Sequence, residues 1–153
     1  MLRKMLEYWS KTTAKPTVLL LDEVDALVGD TLYVANTDAV VAVTGAAIPL
    51  SVDGAEQPMN TALLIKAGST LSLGTINGAG ARSYLSLRGG VQVPDYLGSK
   101  STFTLGQFGG HGGRALRAGD VLHIPALSDL EADAQLPAEL CSALPAVREI
   151  RVI

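Results

Sequence analysis

Several residue types are scarce in this chain of 153 residues. It has one cysteine, Cys141, two histidines and only 5% aromatic residues. Because a lone cysteine cannot form an internal disulfide, we expect a reducing, cytoplasmic location. No apolar run approaches the roughly 18 to 20 residues that a membrane span requires, and residues 1–11 lack the apolar core of an export signal. These absences predict a soluble protein.

Charge and metal-ligand content disfavour two further classes of function. The net charge of -3 comes without any cluster of basic residues, so the chain has no electrostatic footprint for nucleic acid. The spacing of His111, His123 and Cys141 matches no zinc-binding pattern, so no metal is predicted. The length suits a modest hydrophobic core.

The N-terminal segment differs in character from the rest of the chain. Residues 2–14 have the pattern of a short amphipathic helix, and the apolar run at 17–21 ends at Asp22 and Glu23. This run resembles the Walker B strand of bacterial AAA-type ATPases, in which Asp22 would assist a metal ion and Glu23 would orient the attacking water. Since the chain has no Gly-x-x-x-x-Gly-Lys-Ser/Thr phosphate loop, we expect no ATP hydrolysis here. We interpret residues 1–32 as an ATPase-like remnant joined to a second domain, residues 33–153.

From residue 33 onward, short runs of β-branched and apolar residues predict a mainly β fold, either a barrel or a sandwich. Turn signals at residues 36–38, at Asp53-Gly54 and at Asn77-Gly78 each predict a hairpin between the flanking strands. A further turn at residues 118–120 precedes another expected strand. The predicted strands lie at residues 33–35, 39–43, 48–52, 63–66, 71–74, 82–87, 121–124 and 147–153.

Glycine is concentrated in one region. Twelve of the 16 glycines lie between Gly74 and Gly119. Glycine permits positive φ and lets the backbone approach a neighbour closely, but it costs conformational entropy. Residues 84–120 are therefore predicted to form either tight turns or a loop that faces a ligand.

The glycine-rich stretch also carries groups that could bind an anion. Arginine forks and clustered backbone N–H groups bind carboxylates and stabilise a developing oxyanion, and the glycine pairs at 109–110 and 112–113 leave such N–H groups accessible. His111, between these pairs, is the candidate catalytic acid or base. The candidate substrate-binding residues are Arg88, Ser99, Lys100, Ser101, Thr102, Gly112 and Arg114.

Structural roles remain open for the same residues. Arg114 and Arg117 could instead bridge carboxylates such as Asp120 or Asp95. The serines could cap turns through side-chain to backbone bonds. His123 is interpreted as a strand residue with a satisfied hydrogen bond, and no catalytic part is expected for the cysteine.

The β portion also resembles a known family. Its most specific element is Leu-Gly-Ser-Lys-Ser-Thr at residues 97–102, followed at residues 109–120 by Gly-Gly-His-Gly-Gly-Arg-Ala-Leu-Arg-Ala-Gly-Asp. With the motifs at 40–46, 52–54, 66–71, 84–90 and 93–94, this order is similar to the allophanate hydrolase subunit 2 family. That family includes the C subunit of the bacterial ATP-dependent 5-oxoprolinase and the carboxyltransferase part of urea carboxylase.

The resemblance implies a partial cyclophilin-like β-barrel, without the family's usual opening and C-terminal half. It implies a subunit that works with sister subunits of a 5-oxoprolinase-like complex, in which ATP drives opening of the 5-oxoproline lactam. The alternative is biotin-dependent carboxyl transfer to urea, with carboxybiotin as donor and a biotin carboxylase or carrier as partner. A third alternative is a non-catalytic fragment that serves assembly.

Overall fold

The chain folds into short antiparallel strands. The computed structural model describes residues 31–34, 36–117, 119–128, 130–132 and 134–141. This part is mainly β, as predicted, and its helical content is a short 3-10 helix, Ala138–Leu140. The strands are β1 Thr31–Tyr33, β2 Ala39–Gly45, β3 Leu50–Val52, β4 Ala55–Glu56, β5 Leu63–Ile65, β6 Thr70–Leu73 and β7 Ser83–Leu87.

The strands form two sheets, and every strand pair is antiparallel. One sheet has the order β1-β6-β3-β4 and the other has the order β5-β2-β7. In the smaller sheet, Val41 of β2 lies opposite Leu63 of β5 on one side and Leu87 of β7 on the other. Because β2 is covered on both faces, residues 39–44 are all buried. This explains why β2 is a nearly continuous apolar run, without the alternation of a half-exposed strand.

The Asp53-Gly54 turn forms as predicted, but it joins different strands. Asp53 has φ 51° and Gly54 has φ 82°, the two consecutive positive values of a type I′ hairpin turn. The turn connects β3 to the two-residue strand β4. The predicted pairing of residues 48–52 with 63–66 is therefore wrong, since β5 lies in the other sheet.

The other two predicted hairpins are also wrong, because the connecting segments cross between sheets. β1 pairs with β6, and the backbone N–H of Val34 continues this pairing by donating to the carbonyl of Ser69 at 2.9 Å. After β6, the chain runs on beside residues 47–49, where the N–H of Asn77 donates to the carbonyl of Ala47 at 2.9 Å. β7 then joins β2 in the smaller sheet.

The expected strand at residues 121–124 is also absent. The side chains there alternate between exposed and half-buried positions, as in a strand. However, among the described residues the segment makes one ladder-like bond, from the N–H of Gln92 to the carbonyl of His123 at 2.7 Å. The preceding turn does form, closed by the N–H of Asp120 donating to the carbonyl of Arg117 at 3.0 Å.

Two hydrophobic clusters share strand β2. Alternate residues of β2 point to opposite faces. The first core contains Ala39, Val41, Val43, Ile48, Leu50, Leu63, Ile65, Leu71, Leu73 and Leu85. The second core contains Val40, Ala42, Ala62 and Leu136, with Leu64, Leu130, Ala134, Leu140 and Cys141 packed against it.

Some predictions fall on parts of the chain that the structure does not describe. These are the N-terminal helix, the Walker B-like run with Asp22 and Glu23, and the strand at 147–153. In the described part, no helix has the length and apolar character needed to cross a membrane.

Candidate functional site

The glycine-rich stretch folds into two small hairpins. In the first, Tyr96 and Ser99 pair through the N–H of Tyr96 to the carbonyl of Ser99 at 2.8 Å and the reverse bond at 3.1 Å. In the second, the N–H of Phe103 donates to the carbonyl of Phe108 at 2.9 Å. Much of the glycine content is thus used in tight turns, which is one of the two interpretations that the sequence allowed.

The segment 109–113 lies directly against these hairpins. A Cβ on Gly109 would meet the carbonyl oxygen of Ser101, and a Cβ on Gly113 would meet the backbone of Gln107. The N–H of Gly113 closes a turn by donating to the carbonyl of Gly109 at 3.0 Å. Close backbone packing therefore requires glycine at these positions.

Gly112 is different, because it faces open space. It has φ 70°, and a Cβ built on it would have no neighbour within 4 Å. Among the described residues, no hydrogen-bond partner exists for the N–H groups of Gly110, His111 and Gly112. The φ values of Gly109, Gly110, Gly112 and Gly113 are all positive, and that of His111 between the two pairs is not. A change in the sign of φ between neighbouring residues is typical of backbone concavities that bind anions.

Asp120 is the centre of the polar contacts beside this segment. Its carboxylate accepts bonds from Nη1 and Nη2 of Arg114, both at 2.7 Å, and one from the N–H of Arg117 at 2.8 Å. Nε2 of His111 lies 3.7 Å from Oδ1 of Asp120. The structural alternative for Arg114 is therefore confirmed, with Asp120 as its carboxylate. Arg117 also contacts Asp120, but through its backbone N–H.

These contacts lower the pKa of Asp120 well below its usual range. The hydrogen bonds from the Arg114 guanidinium are the largest cause, followed by the N–H of Arg117, while partial burial opposes them. The same pairing raises the pKa of Arg114. Asp120 is therefore a carboxylate at any physiological pH, and it fixes the guanidinium in one orientation.

Arg114 nevertheless keeps part of its donor capacity. Nη1 also donates to the carbonyl of Ala115 at 2.8 Å, so three guanidinium N–H groups are engaged. A guanidinium has five such donors. The substrate-binding role predicted for Arg114 stays a prediction that would use the other two.

The remaining candidate binding residues take varied positions. Ser99 caps a turn, since its Oγ accepts the N–H of Ser101 at 3.1 Å. Lys100 is exposed, and Thr102 Oγ1 lies where a Cβ on Gly110 would fall. Arg88 points elsewhere, with Nη1 donating to the carbonyl of Glu131 at 3.1 Å. Ser101 and Thr102 thus lie against Gly109 and Gly110, Lys100 precedes them in the chain, and the binding roles of all three stay predictions.

The contacts of His123 and Cys141 are with other parts of the chain. His123 is exposed and is engaged through its carbonyl with Gln92. Cys141 is partly buried against the second core. In the described part of the chain, no group of three or more His, Cys, Asp or Glu residues could hold a metal ion.

An aromatic cluster on the two hairpins was not foreseen from the sequence. The rings of Tyr96 and Phe108 lie 4.6 Å apart between centroids, and those of Phe103 and Phe108 lie 5.2 Å apart. Both phenylalanines of the chain are in this cluster. Their presence in a glycine-rich loop, where polar residues are usual, was the signal that could have identified it.

The chain is similar to a known domain family and to several known proteins. The profile of a family described as "Carboxyltransferase domain, subdomain A and B" matches residues 23–153. Urea amidolyase of Saccharomyces cerevisiae is 42% identical over 117 residues, which cover 76% of this chain and 6% of that protein. The C subunit of 5-oxoprolinase from Escherichia coli is 39% identical over 89 residues, which cover 58% of this chain and 28% of that protein.

A solved structure shows the same fold. The Kluyveromyces lactis urea carboxylase aligns with a TM-score of 0.64 and 33% identity, covering 85% of this chain and 14% of that chain. The chain therefore spans only a small part of these relatives. The family match begins at residue 23, so it includes Glu23, and these comparisons give no support to the Walker B interpretation.

Proposed function

Because the chain belongs to the carboxyltransferase domain family, subdomains A and B, we propose that it forms part of the carboxyltransferase site of a urea carboxylase. The observation that carries the proposal is the 42% identity to a urea amidolyase over 117 residues. The fold likeness to a urea carboxylase supports it. Since the matched segment is a small part of these proteins, the proposed activity requires further domains or subunits of the same enzyme.

The proposed reaction moves a carboxyl group to a nitrogen of urea. A carboxylated biotin carrier would supply this group: the bond between the carboxyl carbon and the biotin nitrogen would break as the new carbon–nitrogen bond to urea forms. The urea nitrogen would lose one proton, and the released biotin nitrogen would take one up. Negative charge shifts onto the carboxyl oxygens during such a transfer, and N–H groups that are already oriented stabilise it without reorganisation. We assign this task to the N–H groups of Gly110, His111 and Gly112, which have no partner among the described residues. Lys100, the residue before Ser101, is exposed, and its ammonium group adds a positive charge.

The Asp120 arrangement gives His111 a defined part in this proposal. Oδ1 of Asp120 lies 3.7 Å from Nε2 of His111, so a proton on Nε2 faces a carboxylate. The other ring nitrogen, Nδ1, is then the one that can accept a proton from the urea nitrogen. Arg114 holds Asp120 in place through its two 2.7 Å bonds and acts here as a positioning residue.

A second candidate is a contribution to 5-oxoprolinase. It is favoured by the 39% identity to the Escherichia coli protein of that name. Opening a lactam also develops an oxyanion, so the same N–H groups would serve. In this case ATP would be used by the complex, with sister subunits as partners.

Transfer of this segment into both relatives would distinguish the candidates. The matched residues of this chain replace the aligned segment in the yeast urea amidolyase and, separately, in the C subunit of the bacterial 5-oxoprolinase. We expect the first chimera to retain urea-dependent incorporation of radiolabelled bicarbonate. Retention of 5-oxoproline-dependent ATP hydrolysis in the second chimera alone would favour the second candidate, and loss of both activities in folded chimeras would reject a catalytic role.

A matched pair of glycine substitutions tests the assigned N–H groups. Gly112 and Gly54 have φ values of 70° and 82°, and a Cβ on either would meet nothing within 4 Å. Both Gly→Ala changes therefore carry the same kind of backbone cost. Gly112→Ala keeps the N–H group but raises the cost of the positive φ that orients it and adds a methyl group on its open side. We therefore expect Gly112→Ala to lower kcat of the active chimera at least about 10-fold, as expected when an oxyanion donor is misaligned, and Gly54→Ala to leave kcat unchanged. Equal effects would refute the assignment.

A further inference from the structure

The two hairpins expose an unusual amount of apolar surface. Among the described residues, the exposed large hydrophobic side chains are Tyr33, Tyr96, Leu97, Phe103, Leu105, Phe108 and Val121. Five of these seven lie between residues 96 and 108. We call these five, Tyr96, Leu97, Phe103, Leu105 and Phe108, the aromatic patch. Such concentrated apolar exposure marks an interaction site, whereas scattered exposed residues do not.

The backbone holds this surface in place. Leu97 has φ 51° and Gly98 has φ 76°, so Leu97 occupies a turn position at which Asn, Asp or Gly is preferred. A bulky residue with positive φ is strained, and this one is also 90% exposed. Leu105, at the tip of the second hairpin, is 89% exposed. Strain that presents an apolar side chain to solvent has no benefit in the isolated fold, which points to a contact.

Ring stacking joins the two hairpins into one surface. Tyr96 belongs to the first hairpin and Phe108 to the second, and their ring centroids are 4.6 Å apart. Phe108 in turn contacts Phe103 at 5.2 Å. The rings are 37% to 49% exposed, so they remain partly accessible to a partner. Aromatic side chains of this kind are enriched in the centres of protein interfaces.

We propose that the aromatic patch docks another domain of the same carboxyltransferase enzyme, through an apolar surface on that domain. The proposal rests on the proposed function for the identity of this partner. In the urea amidolyase and urea carboxylase relatives, the matched segment is 6% and 14% of the chain, so further protein is tethered to it. Five side chains offer less than the roughly 800 Å² per partner of a stable interface between free proteins. Tethering raises the effective concentration to about the millimolar range, at which a smaller patch suffices.

Thiol labelling measures whether the patch is covered. Leu105→Cys is made in a Cys141→Ser background, both in this chain alone and in the urea amidolyase chimera, and maleimide labelling of that peptide is followed by mass spectrometry. We expect fast labelling in the chain alone and labelling at least about 10-fold slower in the chimera. Val121→Cys, at a residue that is 66% exposed and outside the patch, is the control and should label equally fast in both.

The labelling rate does not depend on catalysis, so the docking proposal can be tested even if the chimera has no activity. Equal labelling of Leu105→Cys in both proteins would overturn the proposal. Protection in the chain alone that rises with its concentration would indicate a second copy as the occupant and would overturn it too. If the chimera does not fold, the same cysteine is placed at the aligned position of the Kluyveromyces lactis urea carboxylase, where protection in the native enzyme is expected and fast labelling would refute the proposal.

Discussion

Asp120 accepts three hydrogen bonds, two from Arg114 and one from the backbone of Arg117. It thereby connects the 109–113 segment to the turn at residues 117–120. Asp38 has a similar but smaller part elsewhere, because it accepts bonds from Nζ of Lys66 at 2.8 Å and from the N–H of Ala67 at 2.9 Å. Both carboxylates tie a loop to another segment of the chain, and in both cases these contacts lower the pKa of the carboxylate.

The lowered pKa of Asp120 predicts how stability changes in acid. A carboxylate whose pKa is lower in the folded state stabilises the protein above its unfolded pKa, which is about 3.9, and this contribution is lost as the pH falls through the folded pKa. Asp120→Asn removes it. We expect a melting temperature lower by about 2–8 °C at pH 7, with the gap to wild type narrowing below about pH 4.

Thermal melts followed by circular dichroism between about pH 7 and pH 2.5 would test this expectation. Asp38→Asn is the matched comparison, and it should show the same sign with a smaller gap. Asp38 is more exposed than Asp120, at 28% against 15%, so solvent screens its ion pair more effectively. A gap for Asp120→Asn that stayed constant across the pH range would contradict the role of its charge.

At the scale of elements, the glycine-rich stretch depends on close backbone contact between the 109–113 segment and the hairpins. Gly113 has φ 68°, and a Cβ there would overlap the backbone of Gln107 and approach the nitrogen of Phe108 to 2.6 Å. We expect Gly113→Ala to lower the free energy of unfolding by about 2–4 kcal/mol, measured by urea denaturation. Gly112→Ala, with the same backbone strain and no overlap, should cost about 1–2 kcal/mol. Equal losses would show that the hairpins do not depend on this close approach.

Local turns could be predicted from the sequence, whereas the pairing of distant strands could not. The Asp53-Gly54 turn was predictable because two adjacent residues determine a type I′ turn. The partner of Tyr33 was not, since it pairs with Thr70 across a long stretch of chain, and strand pairing depends on contacts that local patterns do not specify.

In the candidate site, too, the residues were identifiable from the sequence but their contacts were not. Asp120 and Asp95 were both available to Arg114 in the sequence, and only the fold of the 109–120 segment selects Asp120. The aromatic patch was missed because each of its residues is ordinary when taken alone. Its character comes from two hairpins that bring Tyr96 and Phe108 together.

For the molecule as a whole, strand β2 couples the two cores. Val41 and Val43 belong to the first core, while Val40 and Ala42 belong to the second. The second core is closed by the segment 134–141, which runs beside the chain before β5. Two backbone bonds hold it there, from the N–H of residue 62 to the carbonyl of residue 134 at 3.0 Å and from the N–H of residue 136 to the carbonyl of residue 60 at 2.8 Å. A substitution that destabilises the second core should therefore also destabilise the first core, because both contain residues of β2.

Leu136→Ala tests this coupling. Leu136 is 3% exposed, and truncation of a buried leucine to alanine costs about 2–5 kcal/mol. If β2 couples the cores, the whole described fold should lose this stability in one transition. The circular dichroism signal of the sheets and the thiol reactivity of Cys141, which packs against the second core, should then share one urea midpoint. The control is Leu105→Ala, at an 89% exposed position, which should shift neither signal. Early exposure of Cys141 in Leu136→Ala, with the sheet transition unmoved, would show that the second core opens independently.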